Sequence, residues 1–173
     1  PKQPKQPCML ALLTLSLSMR LVLQRVKSAS VTVGGSVVSS IGGGIVALCG
    51  LHVEDTDADL QYCAKKLLGA KLWTNENEKL WRQSVKQQDL EVLLVSQFTL
   101  YGTVANKKHS PDYKDAMKSE QASASFDAFA SLCAAEYDAD RVKTGVFGEM
   151  MDVALVNDGP VTLVVDSRED PAR

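Results

Sequence analysis

The sequence predicts one α+β domain: a small barrel-like sheet, antiparallel and mixed, with two main helices. Three observations carry this expectation. Short apolar, β-branched runs crowd both ends of the chain, two stretches with apolar residues at helical spacing lie between them, and no linker or repeat divides the 173 residues. That length suits a single domain with a sizeable core.

Leu21, Leu23 and Arg25 alternate with Val22, Gln24 and Val26, the period-two pattern of a first strand. In the stretch 30–38, Gly34-Gly35 separates two β-branched runs and predicts a hairpin. A buried strand is expected within 41–50, preceded by Gly42-Gly43-Gly44. No Lys-Ser/Thr follows those glycines and a strand comes next, so turn geometry explains them better than a phosphate loop. Asp55-Thr56-Asp57 predicts the cap of a helix that turns Leu60, Cys63, Ala64, Leu67 and Leu68 inward, with Gly69 as its stop. Lys71-Leu72-Trp73 reads as a short strand and 74–79 as a polar turn.

The stretch 91–101 is central. It opens as a buried strand and turns polar at Ser96, Gln97 and Thr99 without a Gly or Pro to mark a loop. Continued alternation would put Ser96, Phe98 and Leu100 on one face and Gln97, Thr99 and Tyr101 on the other. Polar groups at the end of a buried strand need partners. They either satisfy a neighbouring loop or form the lip of a pocket. The loop 102–111 carries Lys107, Lys108 and His109, with Lys114 and Lys118 beyond, and reads as a solvated loop or as a contact for phosphates. A second helix is expected over 125–137, strands over 141–146 and 151–157, and a last strand from Val161.

Net charge is −2, so no global positive field draws the chain to nucleic acid or anionic lipid, and any RNA contact is local. Cys8, Cys49, Cys63 and Cys133 form no Cys-x-x-Cys pair and His52 and His109 stand far apart, so no metal site is expected. The cysteines read as reduced core thiols. Residues 1–18, Pro- and Lys-rich and then apolar, read as an extension outside the main domain at 19–168, and 169–173 as a C-terminal tail. The apolar part is too short for a membrane span. A cytoplasmic location is expected, with organellar targeting by the extension as the alternative.

Ser96-Gln97-Phe98-Thr99-Leu100, followed late in the chain by Asn157-Asp158-Gly159-Pro160-Val161-Thr162, resembles the D-aminoacyl-tRNA deacylases. The likeness runs from Met19 to Ser167 and includes the start at 19–26, then Gly145-Val146-Phe147-Gly148 and Met151. The resemblance implies a barrel-like homodimer that hydrolyses the ester between a D-amino acid, or glycine mischarged on tRNA-Ala, and the 3′ end of tRNA. No cofactor and no metal are implied. Departures fall at the rim. Family members commonly carry an Arg-Pro-Ser-Phe-like run where this chain has His109-Ser110-Pro111-Asp112-Tyr113, and Ala-Asp where it has Glu149-Met150.

By composition Gly159-Pro160 is a plain trans turn between strands, although an X-Pro bond is the realistic place for a cis peptide. The resemblance implies the cis form, reaching across a dimer interface into the partner's pocket and excluding L-substrates sterically. Thr99 lacks a base that sequence can assign, so it is expected, with Gln97, to position and polarise the ester, and Ser96 and Phe98 are counted with them as catalytic candidates. Backbone N–H groups near Phe98 and Thr99 would stabilise the oxyanion, while water attacks with help from a ribose hydroxyl. Phe98, Phe147, Gly148 and Met151 are candidates for adenosine contact, with core packing as the plain alternative for the three large side chains. Arg25 either faces solvent by alternation or, as the resemblance implies, braces the Gly-Pro segment through backbone carbonyls, with Asn157 in support. The rival functions are a non-catalytic RNA-binding barrel, which the acidic balance disfavours, and a related deacylase that edits L-alanine.

Overall fold

The computed structural model describes residues 18–105 and 107–169. The expected extension therefore lies, apart from Ser18, outside the described residues, and so does all of the tail but Glu169. The strands are β1 (Arg20–Val33), β2 (Ser36–Ile41), β3 (Gly44–Gly50), β4 (Glu91–Ser96), β5 (Val142–Thr144) and β6 (Asp152–Asp166). The helices are α1 (Asp57–Gly69) and α2 (Ser119–Glu136), and one-turn 3-10 helices occupy Phe98–Tyr101 and Ser167–Glu169.

One mixed sheet holds every strand, in the order β2-β1-β3-β4-β5 with β6 on β1. β1 pairs antiparallel with β6 along its length. It gives its first half to β3 and its second half to β2, both antiparallel. β3–β4 and β4–β5 are parallel. The sheet curls so that β2 and β5 approach each other, and Lys143 Nζ on β5 donates to the Ser40 carbonyl of β2 at 2.9 Å. The same ammonium pairs with Glu91 at 2.7 Å and holds that carboxyl below its usual range.

Alternation along β3 and β4 builds two buried layers. Ile45, Ala47, Cys49, Val92 and Leu94 pack under α1 and α2 with Phe126, Phe129 and Leu67, while Val46, Leu93 and Val95 face a second cluster with Val26, Val31 and Ile41. Strands buried on both faces carry continuous apolar runs, as these two do. α1 begins on a capping box in which the Asp59 carboxylate accepts the Thr56 N–H at 2.9 Å and the Thr56 hydroxyl at 2.7 Å. Ser167 also donates to Asp59, tying the helix start to the end of β6.

Several elements differ from expectation for identifiable reasons. β1 is one long strand because β6 supports it throughout. Lys71-Leu72-Trp73 forms no strand, only the single bridge Trp73–Gln83 at the neck of a loop. Gly69 is the last residue of α1 and not its stop, α2 starts earlier than 125, and the strand expected over 141–146 shortens to β5. The alternation expected beyond Ser96 fails because the chain leaves the sheet in the turn Phe98–Tyr101. The strands expected on either side of Gly159-Pro160 are one strand, β6, interrupted by a bulge.

Candidate active site

Two clefts collect the residues singled out above. The larger, about 740 Å³, lies where β3 and β4 end and is walled by the turn after β4, the start of α2 and the segment before β6. Ser96, Gln97, Phe98 and Thr99 line one side and Phe147, Gly148 and Met151 the other. The Gln97 N–H is tied to the Cys49 carbonyl at 2.7 Å, and the Leu100 N–H reaches back to the Gln97 carbonyl at 3.2 Å. Gly50 permits this close approach, since a Cβ there would stand 2.9 Å from Leu100 Cβ and 3.3 Å from the Gln97 carbonyl. Phe98 and Thr99 open the 3-10 turn, where N–H groups have no partner inside the helix.

Thr99 Oγ1 donates to Gln97 Oε1 at 2.6 Å, so hydroxyl and amide present a joined polar edge to the cleft. Phe98 is 57% exposed and meets Tyr113 edge-on at 4.9 Å, which anchors the loop bearing Lys107 and Lys108 to the rim. Phe147 leans on Phe126 at 5.9 Å. No histidine lines the cleft. Cys49 does, but burial, followed by the nearby Cys133 and Cys63, pushes its thiol well above the ordinary range, which removes a thiolate nucleophile. His52 is buried elsewhere, its ring 5.2 Å from Tyr101 and its Nδ1 accepting the Glu54 N–H; burial lowers its pKa, so the imidazole is neutral.

Arg25, Gly159 and Pro160 are not in that cleft. They line a smaller one of about 290 Å³ with Leu72, Trp73, Thr74, Leu80, Trp81 and Val161. The register explains how. Gln24 pairs with Thr162 and Val26 with Asn157, so Asp158, Gly159, Pro160 and Val161 all stand opposite the single residue Arg25 and are extruded as a bulge. Within it the Gly159-Pro160 peptide is cis, and Gly159 has φ +119. A Cβ on Gly159 would come within 2.8 Å of Val161 Cγ2 and 3.2 Å of Arg25 Nη2.

Asn157 closes the neck of the bulge. Its Nδ2 donates to the carbonyls of Arg25 at 3.0 Å and Val161 at 3.2 Å, and its Oδ1 accepts from Gln24 and Thr162, each at 3.1 Å. Arg25 does not reach the Gly-Pro carbonyls as expected. Its Nε stands 3.0 Å from the Asp158 carboxylate, and its Nη1 donates to the Leu72 carbonyl. Asp158, Gln24, Leu80 and Trp81 stand at the bulge without being among the candidate residues of the sequence. Asp158 lies within the motif Asn157-Asp158-Gly159-Pro160, whereas the others are placed by register and by a loop without a pattern.

Among the described residues no group of histidine, cysteine and carboxylate side chains is arranged to hold a metal ion. Among them too, no helix is long and apolar enough to cross a membrane.

Comparison with known proteins bears on this geometry. The profile of the D-Tyr-tRNA(Tyr) deacylase family matches residues 22–166. A D-aminoacyl-tRNA deacylase of Yarrowia lipolytica is 47% identical over 154 residues, covering 88% of this chain and 99% of that protein. Those of Dictyostelium discoideum and Thermus aquaticus are 44% and 46% identical, with 99% and 98% of their lengths covered. A solved structure named c-Myc DNA Unwinding Element Binding Protein superposes with a TM-score of 0.80 at 40% identity, over 85% of this chain and 97% of that one. The structure of a probable eukaryotic D-amino acid tRNA deacylase, 20% identical, shares the fold with a TM-score of 0.74. Both the profile, which spans β1 to the end of β6, and these relatives place the chain in one group: it belongs to the D-Tyr-tRNA(Tyr) deacylase family.

Proposed function

We propose that this chain hydrolyses the ester joining a D-amino acid to the 3′-terminal adenosine of tRNA, releasing the free D-amino acid and tRNA, and that glycine mischarged on tRNA-Ala is a further substrate. Family membership makes the chain a hydrolase of aminoacyl-tRNA esters. The finer reading rests chiefly on one observation: a single cleft gathers the polar edge Ser96, Gln97 and Thr99 with Phe147, Gly148 and Met151, and holds no histidine. Without a nucleophile–base pair, the protein's contribution is to orient the ester and stabilise charge. Gln97 and Thr99 position the ester, and the N–H groups of Phe98 and Thr99 face the oxyanion that forms when water adds to the carbonyl carbon. The ester bond then breaks toward the ribose oxygen, which takes a proton, with the neighbouring ribose hydroxyl assisting. Phe147, Gly148 and Met151 hold the adenosine, and Lys107 and Lys108 approach the phosphates.

Chirality is sorted by a second copy of the chain. The bulge bearing Gly159 and Pro160 projects from β6, whose other edge pairs with no strand among the described residues and which exposes Val156, Leu163 and Val164. Seated in the partner's cleft, its backbone occupies the space an L side chain would need, while a D side chain points away. Selection by rejection predicts tolerance for many D-amino acids and poor rejection of glycine. Arg25 and Asn157 fix the bulge in shape.

Rates of ester loss from one tRNA charged with D-Tyr, L-Tyr or Gly test this reading. Rapid loss of D-Tyr, measurable loss of Gly and stable L-Tyr are expected. Decay of all three at the buffer rate would leave a nucleic-acid-binding barrel, the reading closest to the DNA-binding name of one solved relative. Cleavage of L-alanyl-tRNA but not of the D-esters would make the chain an L-alanine editor.

A further inference from the structure

The wall of the larger cleft opposite Gln97 and Thr99 carries a group that the proposed chemistry leaves unused. Among the described residues lining that cleft, Glu149 is the one acidic or basic side chain. Its setting is well defined. Phe147 leans on Phe126, and Met151 lies over Gly145, where a Cβ would come within 2.7 Å of its Sδ. Between them the chain turns at Gly148, whose φ of +81 suits glycine, and the Glu149 N–H reaches back to the Val146 carbonyl at 3.4 Å. The turn therefore places Glu149 between the two side chains assigned to the adenosine. Its carboxylate is exposed and makes no ion pair or hydrogen bond with another described residue. Glu149 also falls at the rim, at one of the positions where the sequence departs from the family pattern.

The placing of the ester decides which part of the substrate Glu149 meets. With the carbonyl at the Phe98 and Thr99 N–H groups, the ribose hydroxyls stay beside that wall and the base reaches across to the other. A carboxylate repels the phosphates, and the α-amino group belongs to the amino-acid end of the cleft. That leaves the base. An ionised carboxylate accepts hydrogen bonds and donates none. Adenine offers acceptors at N1, N3 and N7 and a single donor group, the 6-amino, so a carboxylate has only that group to take.

We infer that Glu149 is a base-selecting residue, whose carboxylate accepts a hydrogen bond from the 6-amino group of the terminal adenine while Phe147 and Met151 cover the ring. This rests on the reading that the larger cleft receives the 3′-terminal adenosine of an aminoacyl ester. The seated base shields the contact from water, which strengthens a hydrogen bond to a charged group. A base with no 6-amino group leaves the carboxylate covered and unpaired, and is held less well.

D-Tyr esters of two tRNAs test the inference, one ending in adenosine and one in purine riboside, which carries hydrogen in place of the 6-amino group. Wild type is expected to favour the adenosine-ended ester about fivefold in kcat/KM. Glu149→Ala is expected to lose rate on the adenosine-ended ester and bring that preference below about twofold. Glu149→Gln, whose amide oxygen accepts a weaker, neutral hydrogen bond, falls between them. A wild-type preference near one overturns the inference whatever the variants do. A preference that Glu149→Ala leaves at the wild-type value overturns it too, as does equal loss on both esters, the mark of a contact elsewhere on the substrate. Wild-type protein inactive on every D-ester would instead overturn the functional reading, so the two failures are distinguishable.

Discussion

Asn157 shows most plainly how single side chains set up the site. Its amide takes part in four hydrogen bonds that lock the neck of the bulge to β1. Asn157→Ala leaves partly buried carbonyls without donors, and a loss of about 2 kcal/mol in unfolding free energy is expected by denaturant titration. Gly159 carries a sharper demand, because at φ +119 an added Cβ lies 2.8 Å from Val161 Cγ2. Gly159→Ala is expected to displace the bulge and lower the ratio of D-Tyr to L-Tyr hydrolysis about tenfold. An unchanged ratio in a folded, active variant would remove Gly159 from chiral selection. The motif around Gly159 was legible as a string of residues. Arg25 was legible only as an anomaly, since its partners Asp158 and Leu72 follow from a pairing register that no local pattern encodes.

Elements were legible where one periodicity governs them and obscure where two segments share a strand. α1 followed from its apolar spacing and its cap, and the hairpin from Gly34-Gly35. β6 read as two strands because Gly and Pro ordinarily end one. The sheet tolerates them because the bulge removes those residues from the ladder and β6 lies at an edge. The turn after β4 was hidden for another reason. Ser96-Gln97-Phe98-Thr99 alternates well enough to pass for a strand, and the space that lets it fold back lies at Gly50, far away in sequence. Gly50→Val is therefore expected to push out the turn and reduce deacylation at least tenfold while the fold persists, as checked by circular dichroism and kinetics. On the exposed face of β6, Val164 is 67% exposed. If two copies associate over this face as proposed, Val164→Lys is expected to leave a monomer in sedimentation and to abolish activity with it, because an unpaired charge in a closed interface opposes association.

For the molecule as a whole, the first and last described segments are tied together by one carboxylate. Asp166 accepts from Ser18 at 3.0 Å and pairs with Arg20 at 3.0 Å and with Arg168. Burial raises its pKa, but the hydrogen bonds from Arg168, Arg20 and Ser18 outweigh this and hold it well below the usual carboxylate range. A depressed carboxyl contributes stability above its unfolded pKa, about 3.9, that is lost as pH falls toward the folded value. The Tm gap between wild type and Asp166→Asn should thus be wide at neutral pH and narrow as the solution is acidified below that point; a gap independent of pH would contradict the assignment.

At the same scale, the fold class was legible because the layers of strand and helix follow from apolar patterning. The separation of the candidate residues into two clefts was not, since it follows from the β1–β6 register and the turn after β4. The proposal that a second copy joins them makes a crystal structure of the protein with a non-hydrolysable D-tyrosyl-3′-amino-adenosine analogue the most direct test. The expected result is a twofold dimer with the adenosine between Phe147 and Met151, the linkage carbonyl at the N–H groups of Phe98 and Thr99, and the partner's Gly159 and Pro160 against the α-amino group. An analogue bound within one chain's smaller cleft, or a dimer that leaves the bulge facing solvent, would contradict it.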